Sequence, residues 1–409
     1  MNVRLAALDF ITGCLSVCNE PDHNDALCST IASGRLDWQT VILIANTELL
    51  TPALWVALRD RQLTKYLPAD VYDYLSELYR LNKTRNAHLR AQVIEVMQQL
   101  NAIDIEPLLL KGAVGLFVET FGDPGSRMMT DLDILVPEDA AQACWNTLRE
   151  IGYRPVEDRQ DQRTTGPPLS DWPAGYRQHQ HLHPLHRPGE YGTVEIHRSA
   201  LASHCSGAGL LPTQLLWRNT EHIQASGAEM AVPTPTYRIL HNLVHSVITD
   251  RAYLRGRIPL RPLHETAQMQ INFRKSTEWE NIREQFASCG KSKVLQGFLY
   301  LSHKYFNTPL PEAIPRTAGS VVHHARARLQ ARWEWPKNII EPVLDFWATE
   351  VVERVNHLSA ENICARYQCE NDFLSITKGR IKLVLRRIRL IGAFVAKYTC
   401  RPFRGILER

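Results

Sequence analysis

The sequence predicts an α+β fold, in which a small β-sheet core is flanked by helical regions towards both ends of the chain. Residues 69–101 carry apolar side chains near helical spacing, and helical patterns return from about residue 210. Between them, short apolar runs at 108–110, 131–136 and 193–197 alternate with turns and helical segments, which is typical of packed α and β elements. The chain has 409 residues, 44% of them hydrophobic, and this length allows roughly two to three domains.

The pattern divides the chain into four regions. We predict an N-terminal helical region at 1–104, an α/β core at 105–205, a helical domain at 206–372 and a basic amphipathic tail at 373–409. A polar stretch at 157–175, rich in Gly, Pro and Asp, predicts a long loop within the core.

The core elements follow from the change of period along residues 105–205. Apolar runs closed by Gly or Pro predict strands, and longer segments introduced by Pro or Gly predict helices. The expected elements are strands at 108–110, 131–136 and from 152, helices at 113–121 and 138–151, and a hairpin of 179–186 with 193–197.

The cysteine content and the lengths of the apolar runs indicate the compartment. Nine cysteines are scattered along the chain without a Cys-x-x-Cys pair, which favours a reducing cytosol over a disulfide framework. No apolar run approaches the ~18 residues that a membrane span needs, and Asp9 interrupts the N-terminus before a secretory signal develops. We therefore expect a cytoplasmic protein.

Two acidic residues on one predicted strand are the first candidates for chemistry. Because strand side chains alternate between faces, Asp131 and Asp133 share one face, opposite Leu132 and Ile134. Two adjacent carboxylates repel each other and are costly to bury, and a divalent cation such as Mg²⁺ relieves that cost. The alternative is a strand end whose acids reach solvent or cap a helix, because so short a motif is not specific.

The surroundings of this pair favour a metal and phosphate site. Lys111 and Gly112 close the preceding strand, where Gly lets the backbone approach a ligand and helical N–H groups can bind phosphate. Arg127 lies four residues before Asp131 and is a candidate triphosphate contact, although a surface arginine is the commoner case. Glu195 supplies a third carboxylate that is able to complete a two-metal arrangement; the alternative is an exposed strand position.

Taken together, these residues resemble the uncharacterised nucleotidyltransferase family. That family belongs to the DNA polymerase β-like nucleotidyltransferase superfamily and is distantly related to the aminoglycoside nucleotidyltransferases. The likeness extends from about Trp38 to about residue 270 and rests on the order and spacing of residues 108–113, Arg127, residues 131–136, residues 152–153 and residues 194–197.

The resemblance implies roles for particular residues. Asp131, Asp133 and Glu195 would be metal ligands and catalytic carboxylates for Mg²⁺ or Mn²⁺ in a small mixed sheet, with a nucleoside triphosphate (NTP) as co-substrate. Lys111 and Gly112 would take the place of the Gly-Ser turn of the wider superfamily and bind the nucleotide together with Arg127.

Two features depart from the family pattern. Gly125-Ser126 lies too close to Asp131 to be the Gly-Ser turn. Arg198 follows His197, at a position where the family often has Trp, so the local packing differs.

Two functions remain open at this point. The first is a metal-dependent nucleotidyltransferase that moves a nucleoside monophosphate from an NTP to a hydroxyl of an acceptor, such as a small molecule, a peptide, a protein or RNA, and releases pyrophosphate. The second is a degenerate nucleotidyltransferase fold that acts as a scaffold partner of a biosynthetic or peptide-modifying complex. The intact set of three carboxylates favours the enzyme.

Histidines near the core give a further candidate for metal binding. His179, His181, His183 and His186 cluster in one segment, and the first three would share a strand face. No cysteine or carboxylate completes a four-ligand spacing there, so substrate contacts or a plain polar strand are the favoured alternatives. His197 has the position to orient Glu195 or act as a base, against a structural role.

The tail is the last candidate feature. Residues 373–407 contain nine Lys or Arg and no Asp or Glu, and residues 380–398 have the pattern of a basic amphipathic helix. Such a helix docks on the body of the protein or makes weak contacts with nucleic acid or an anionic membrane surface. The sequence leaves these alternatives open.

Overall fold

A computed structural model describes residues 2–17, 20–120, 122–156, 179–202, 205 and 207–332. Residues 1–328 form one compact unit, and of a second unit, Leu329–Arg409, the description covers residues 329–332. The predicted loop at 157–175 and the predicted tail at 373–409, with its helix at 380–398, lie outside the described residues. The predicted domain boundaries stay predictions.

The N-terminal region is helical, as its periodicity predicts. Its helices are α1 (Val3–Cys14), α2 (Pro21–Ala32), α3 (Trp38–Thr47), α4 (Thr51–Asp60), a 3₁₀ turn (Thr64–Tyr66) and α5 (Ala69–Asn101). Pro68 is the N-cap residue of α5, where the missing N–H of proline leaves no backbone donor unpaired. One stripe of α5 is buried along most of its length, including Val71, Leu89, Val93 and Leu100.

Seven strands form one mixed sheet. They are β1 (Leu108–Leu109), β2 (Asp131–Leu135), β3 (Arg154–Pro155), β4 (Leu185–His186), β5 (Thr193–His197), β6 (Thr220–Ala225) and β7 (Ala228–Pro233). Their order across the sheet is β3-β4-β5-β2-β1-β7-β6. β2 runs parallel to β5 and antiparallel to β1, and β4 runs antiparallel to β5. The structure therefore confirms the α+β class and the mixed sheet.

One hairpin was not predicted. β6 and β7 lie in the segment 206–372, for which the sequence predicts helices, yet β7 pairs in parallel with β1 and extends the sheet. Ser226 and Gly227 form the two-residue turn between them, and both have positive φ, 51° and 78°. Such a turn matches the right-handed twist of paired strands. The helix predicted at 113–121 is shorter in the structure than the sequence predicts. The observed helix, α6, covers only Lys111–Val114.

The remaining helices of the described residues lie between these strands and after them in the sequence. They are α7 (Ala141–Glu150), α8 (Thr213–Arg218), α9 (Pro235–Val244), α10 (Ala252–Arg255), α11 (Leu260–Asn272), α12 (Trp279–Ser288), α13 (Ser292–Phe306) and α14 (Ala318–Ala331). A π-helical turn, His245–Thr249, continues α9. Within the described part of the chain, no helix combines the length and the apolar character that crossing a membrane requires.

The main core fixes which side chains of the sheet remain available for chemistry. Leu132, Ile134 and Val194 are fully buried in one cluster with residues of α5 and α7, such as Leu89 and Trp145. Since strand side chains alternate, this packing turns the polar side chains of β2 and β5 to the opposite face. A shift of either strand by one residue would bury its carboxylates in the apolar cluster.

Candidate active site

Adjacent parallel strands bring two of the predicted carboxylates together. Asp133 of β2 is paired in register with Glu195 of β5, and Asp131 is paired with Thr193. His197 lies two residues after Glu195 and therefore on the same face of the sheet. The ligand atoms of Asp133, Glu195 and His197 all lie within 4.8 Å of one another, so these residues form a group that could hold a metal ion.

Asp133 is the most deeply buried member of the group, with 1% of its surface exposed. Its Oδ1 accepts a hydrogen bond from Lys111 Nζ at 2.6 Å and lies 2.8 Å from His197 Nε2. Burial alone would raise the pKa of this carboxyl group, but Lys111 and His197 outweigh burial and hold the pKa well below its ordinary value. Lys111 and His197 thus compensate much of the negative charge of Asp133. The sequence alone predicted that only a bound cation would compensate it.

Lys111 reaches Asp133 from a left-handed backbone conformation, with φ of 47°. Such a conformation costs a non-glycine residue roughly 1–2 kcal/mol. Just before it, the Leu110 N–H donates to the Asp133 carbonyl at 3.0 Å, which ties the start of α6 to β2. Burial lowers the pKa of Lys111, but Asp133, Asp131 and Glu195 together raise it above the ordinary value. The lysine is therefore a cation that bonds to Asp133 and interacts electrostatically with Asp131 and Glu195.

Gly112 leaves space for a buried arginine. A Cβ atom added at Gly112 would overlap the guanidinium of Arg127. That guanidinium forms an ion pair with Glu265 of α11, with 3.0 Å between Nε and Oε1, and Glu265 also pairs with Arg261 at 2.9 Å. Burial raises the pKa of Glu265, but the two arginines lower it to about 2. Arg127 thus lies behind the Lys111–Gly112 turn, and its contact with a triphosphate stays a prediction.

Glu195 lies between two imidazoles. Its Oε2 is 3.4 Å from His181 Nε2 and 3.6 Å from His197 Nε2. Burial raises the pKa of Glu195, but His197 and His181 lower it below the ordinary value. Burial also lowers the pKa of His181, with Glu195 acting in the opposite direction. The carboxylate is therefore ionised at neutral pH. The structure places the predicted His197 near it and adds His181 to the predicted acidic site.

Asp131 has a different environment from Asp133. It is partly exposed, and Thr130 Oγ1 donates to its Oδ1 at 3.1 Å. It lies on the same face of β2 as Asp133 but outside the three-residue group of close ligand atoms. Its role as a metal ligand stays a prediction.

The predicted histidine cluster separates into different environments. His181 forms an isolated β-bridge with His197, which brings its ring next to Glu195. The rings of His179 and His181 are in edge contact, 4.2 Å apart. His186 lies on β4 and is exposed. The strand pattern did predict the carboxylate face, but only the bridge between distant segments reveals that His181 joins it.

Comparisons with known proteins agree with this geometry. A family model described as uncharacterised nucleotidyltransferase matches residues 34–307, more than half of the chain. No curated protein and no solved structure matches the chain significantly. The family match confirms the resemblance seen in the sequence and supports a transferase.

Proposed function

The chain belongs to the uncharacterised nucleotidyltransferase family, and on that premise we propose that it moves a nucleoside monophosphate from an NTP to an acceptor hydroxyl. In this reaction the acceptor oxygen bonds to the α-phosphorus and its hydroxyl proton is released to solvent, while the bond between the α-phosphorus and the bridging oxygen breaks and pyrophosphate leaves. The observation that carries the proposal is the pairing of Asp133 and Glu195 on adjacent parallel strands, with His197 within reach of both.

The donor set fits a divalent cation. Two carboxylates and an imidazole converge within 4.8 Å, and such oxygen and nitrogen donors bind divalent metals. We propose that Asp133 and Glu195 hold Mg²⁺ or Mn²⁺, with Asp131 as a further ligand from the same strand. When bound, the ion neutralises charge on the phosphoryl oxygens.

The protein's own residues position the two substrates. In the proposal, Lys111 Nζ donates to the triphosphate, and Gly112 keeps the adjacent backbone open because it has no side chain. Arg127 maintains this turn from behind and adds positive charge. The ionised Glu195 carboxylate accepts a hydrogen bond from the acceptor hydroxyl and orients its oxygen for attack. Such positioning is the main contribution that proteins make to phosphoryl transfer.

The acceptor and the cellular location belong to the same proposal. We propose a hydroxyl of a small molecule, a peptide or a protein as the acceptor, and the cytoplasm as the location. The scattered cysteines without a Cys-x-x-Cys pair support a reducing compartment.

Thermal stability with and without ligands tests the proposal. The melting temperature of the wild type should rise with Mg²⁺ or Mn²⁺ plus at least one NTP, since a ligand that binds the folded state stabilises it. Asp133→Asn should lose the metal-dependent part of this shift, whereas the exposed Asp139→Asn should retain it. Glu195→Gln should keep most of the nucleotide shift but lose transfer, as followed by mass spectrometry of candidate acceptors. A wild type that shows no shift with any combination would favour a scaffold.

A further inference from the structure

We propose that Tyr191 and His88 form an aromatic platform on which the base of the bound NTP stacks. The platform lies at the end of the paired strands β2 and β5 at which Asp131 lies, and neither ring belongs to the carboxylate group. The inference rests on the proposed nucleotidyl transfer, and it names the residues that contact the base of the nucleotide.

The two rings of the platform are already stacked on each other. The ring centroids of Tyr191 and His88 are 4.8 Å apart, and the ring planes differ by 22°. His88 is an exposed residue of α5, and 51% of the surface of Tyr191 is exposed. Because His88 covers one face of the tyrosine ring, the opposite face is the surface on which a further flat group can stack.

Hydrogen bonds from α5 fix the backbone that carries this exposed ring. Arg85 donates to the carbonyl oxygen of Tyr191 at 3.0 Å. Gln92 Nε2 donates to the carbonyl oxygen of Gly192 at 2.9 Å, and Gln92 Oε1 accepts from the Gly192 N–H at 3.1 Å. A Cβ atom added at Gly192 would overlap the Leu89 side chain, so the chain passes close to α5 at this point. The tyrosine is thus held in one position before a ligand arrives, which reduces the entropy lost on binding.

The platform is close to the proposed metal ligands. Thr193, two residues after Tyr191, is paired in register with Asp131. Arg85, which holds the Tyr191 carbonyl group, also interacts electrostatically with Asp131. Glu195 is four residues after Tyr191, a separation of at most about 14 Å along the chain. A nucleotide with its phosphates at the carboxylates can therefore reach the platform with its base.

The shape of the platform selects the base among the parts of the NTP. All nucleobases have a flat π face, and an aromatic side chain stacks on that face without reading its hydrogen-bonding groups. The ribose and the triphosphate have no such face. The platform therefore favours a nucleotide over inorganic polyphosphate, and it discriminates little between one base and another.

The experiment measures binding by calorimetry with the full chain and Mn²⁺. The probes are ATP, GTP, CTP and UTP, with inorganic tripolyphosphate as the probe that has no base. For the NTPs that bind, Tyr191→Ala should weaken binding about tenfold, the equivalent of about 1.4 kcal/mol and within the range of base–aromatic stacking. Binding of tripolyphosphate should stay within about twofold, and Tyr191→Phe should restore most of the lost NTP affinity. The control Tyr66→Ala removes another exposed tyrosine, 46% exposed, and should bind every probe like the wild type.

A wild-type measurement covers the case in which Tyr191→Ala does not fold. The NMR signals of the base protons should move upfield on binding to the wild type with Mg²⁺, because an aromatic ring shields protons that lie over its face. Base protons without this shift, or equal NTP affinity in folded Tyr191→Ala and the wild type, would overturn the inference. Metal-dependent NTP binding that persisted in that case would leave the proposed function standing, whereas a wild type that binds no NTP would overturn both.

Discussion

Replacing Asp133 by Asn, compared with the same change at Asp131, tests how the site is held together. The structure gives Asp133 two buried partners, Lys111 and His197, on one carboxylate oxygen. Asp131 is partly exposed and accepts from its neighbour Thr130. In the absence of metal, Asp133→Asn should therefore destabilise the protein strongly, and Asp131→Asn only slightly.

The expected size follows from the burial of the partners. Removing one member of a buried ion pair costs about 3–5 kcal/mol, because the other charge is left uncompensated. Lys111 keeps a quarter of its side chain exposed, while the His197 side chain is fully buried. We therefore expect a loss near the lower limit, about 3 kcal/mol, for Asp133→Asn. For Asp131→Asn we expect less than about 0.5 kcal/mol, as at other surface sites.

The difference in stability should also depend on pH. The lowered pKa of Asp133 means that its contribution is fully present above the ordinary carboxyl pKa, about 3.9, and is lost as the pH falls towards the folded value. The raised pKa of His197 means that its contribution is fully present below the ordinary imidazole pKa, about 6.5. It is lost as the pH rises through the folded value. The gap between wild type and Asp133→Asn should be largest near pH 5–6 and should shrink above that range.

Urea unfolding in the presence of a chelator measures these free energies. Curves for the wild type and both variants at pH 5.5, 7 and 8.5 give the two differences and their pH dependence. If Asp133→Asn were as stable as the wild type at pH 5.5, the network of Lys111, Asp133 and His197 would not be what offsets the buried charge.

Three further predictions concern the turn after β1 and the arginine behind it. Gly112→Ala should lose about 1–3 kcal/mol in urea unfolding, because the added methyl displaces the buried Arg127 guanidinium, whereas Gly319→Ala, with only an ordinary contact, should not. The pKa of Glu265 is lowered to about 2, so its contribution to the free energy of unfolding is fully present above the ordinary pKa of about 4.3 and is lost as the pH falls. The difference in free energy of unfolding between the wild type and Glu265→Gln should therefore be constant above pH 5 and should disappear towards pH 2. Lys111→Gly should be about 1 kcal/mol more stable than Lys111→Ala, since only glycine adopts the positive φ without strain; equal stabilities would contradict the left-handed backbone.

The sequence predicted the strands that carry the carboxylates because their signals are local. Asp131, Asp133 and Glu195 occupy alternate positions in strands whose intervening residues are apolar, and burial of those apolar residues requires the polar face to point the opposite way. The parallel pairing of β2 with β5, however, is set by contacts between distant segments. The pattern showed which face each carboxylate takes, and the structure shows which residues lie opposite one another.

Other features were missed because their causes are not local. No residue of β6 is fully buried, and half of its residues are exposed. The segment therefore lacks the apolar alternation that identifies a half-buried strand, and it becomes a strand by pairing with β7. Arg127 lies in a sequence segment typical of a surface loop, yet its side chain is mostly buried and forms an ion pair with Glu265 of α11. His181 joins the site only through its bridge to His197. No pattern within a short window contains these partners.

The strained backbone at Lys111 and the deep burial of Asp133 explain each other. A left-handed lysine at the start of α6 is unfavourable by roughly 1–2 kcal/mol, and such a conformation persists only where the surroundings hold it. Here the Leu110 N–H is held by the Asp133 carbonyl and the Lys111 ammonium by the Asp133 carboxylate. The same aspartate therefore fixes both the backbone and the side chain of the turn. Loss of the Lys111 cation would leave the buried Asp133 carboxylate with one partner fewer. The contacts with Asp133 therefore hold Lys111 in its strained conformation, and they keep a positive charge at the position where the proposed triphosphate would bind.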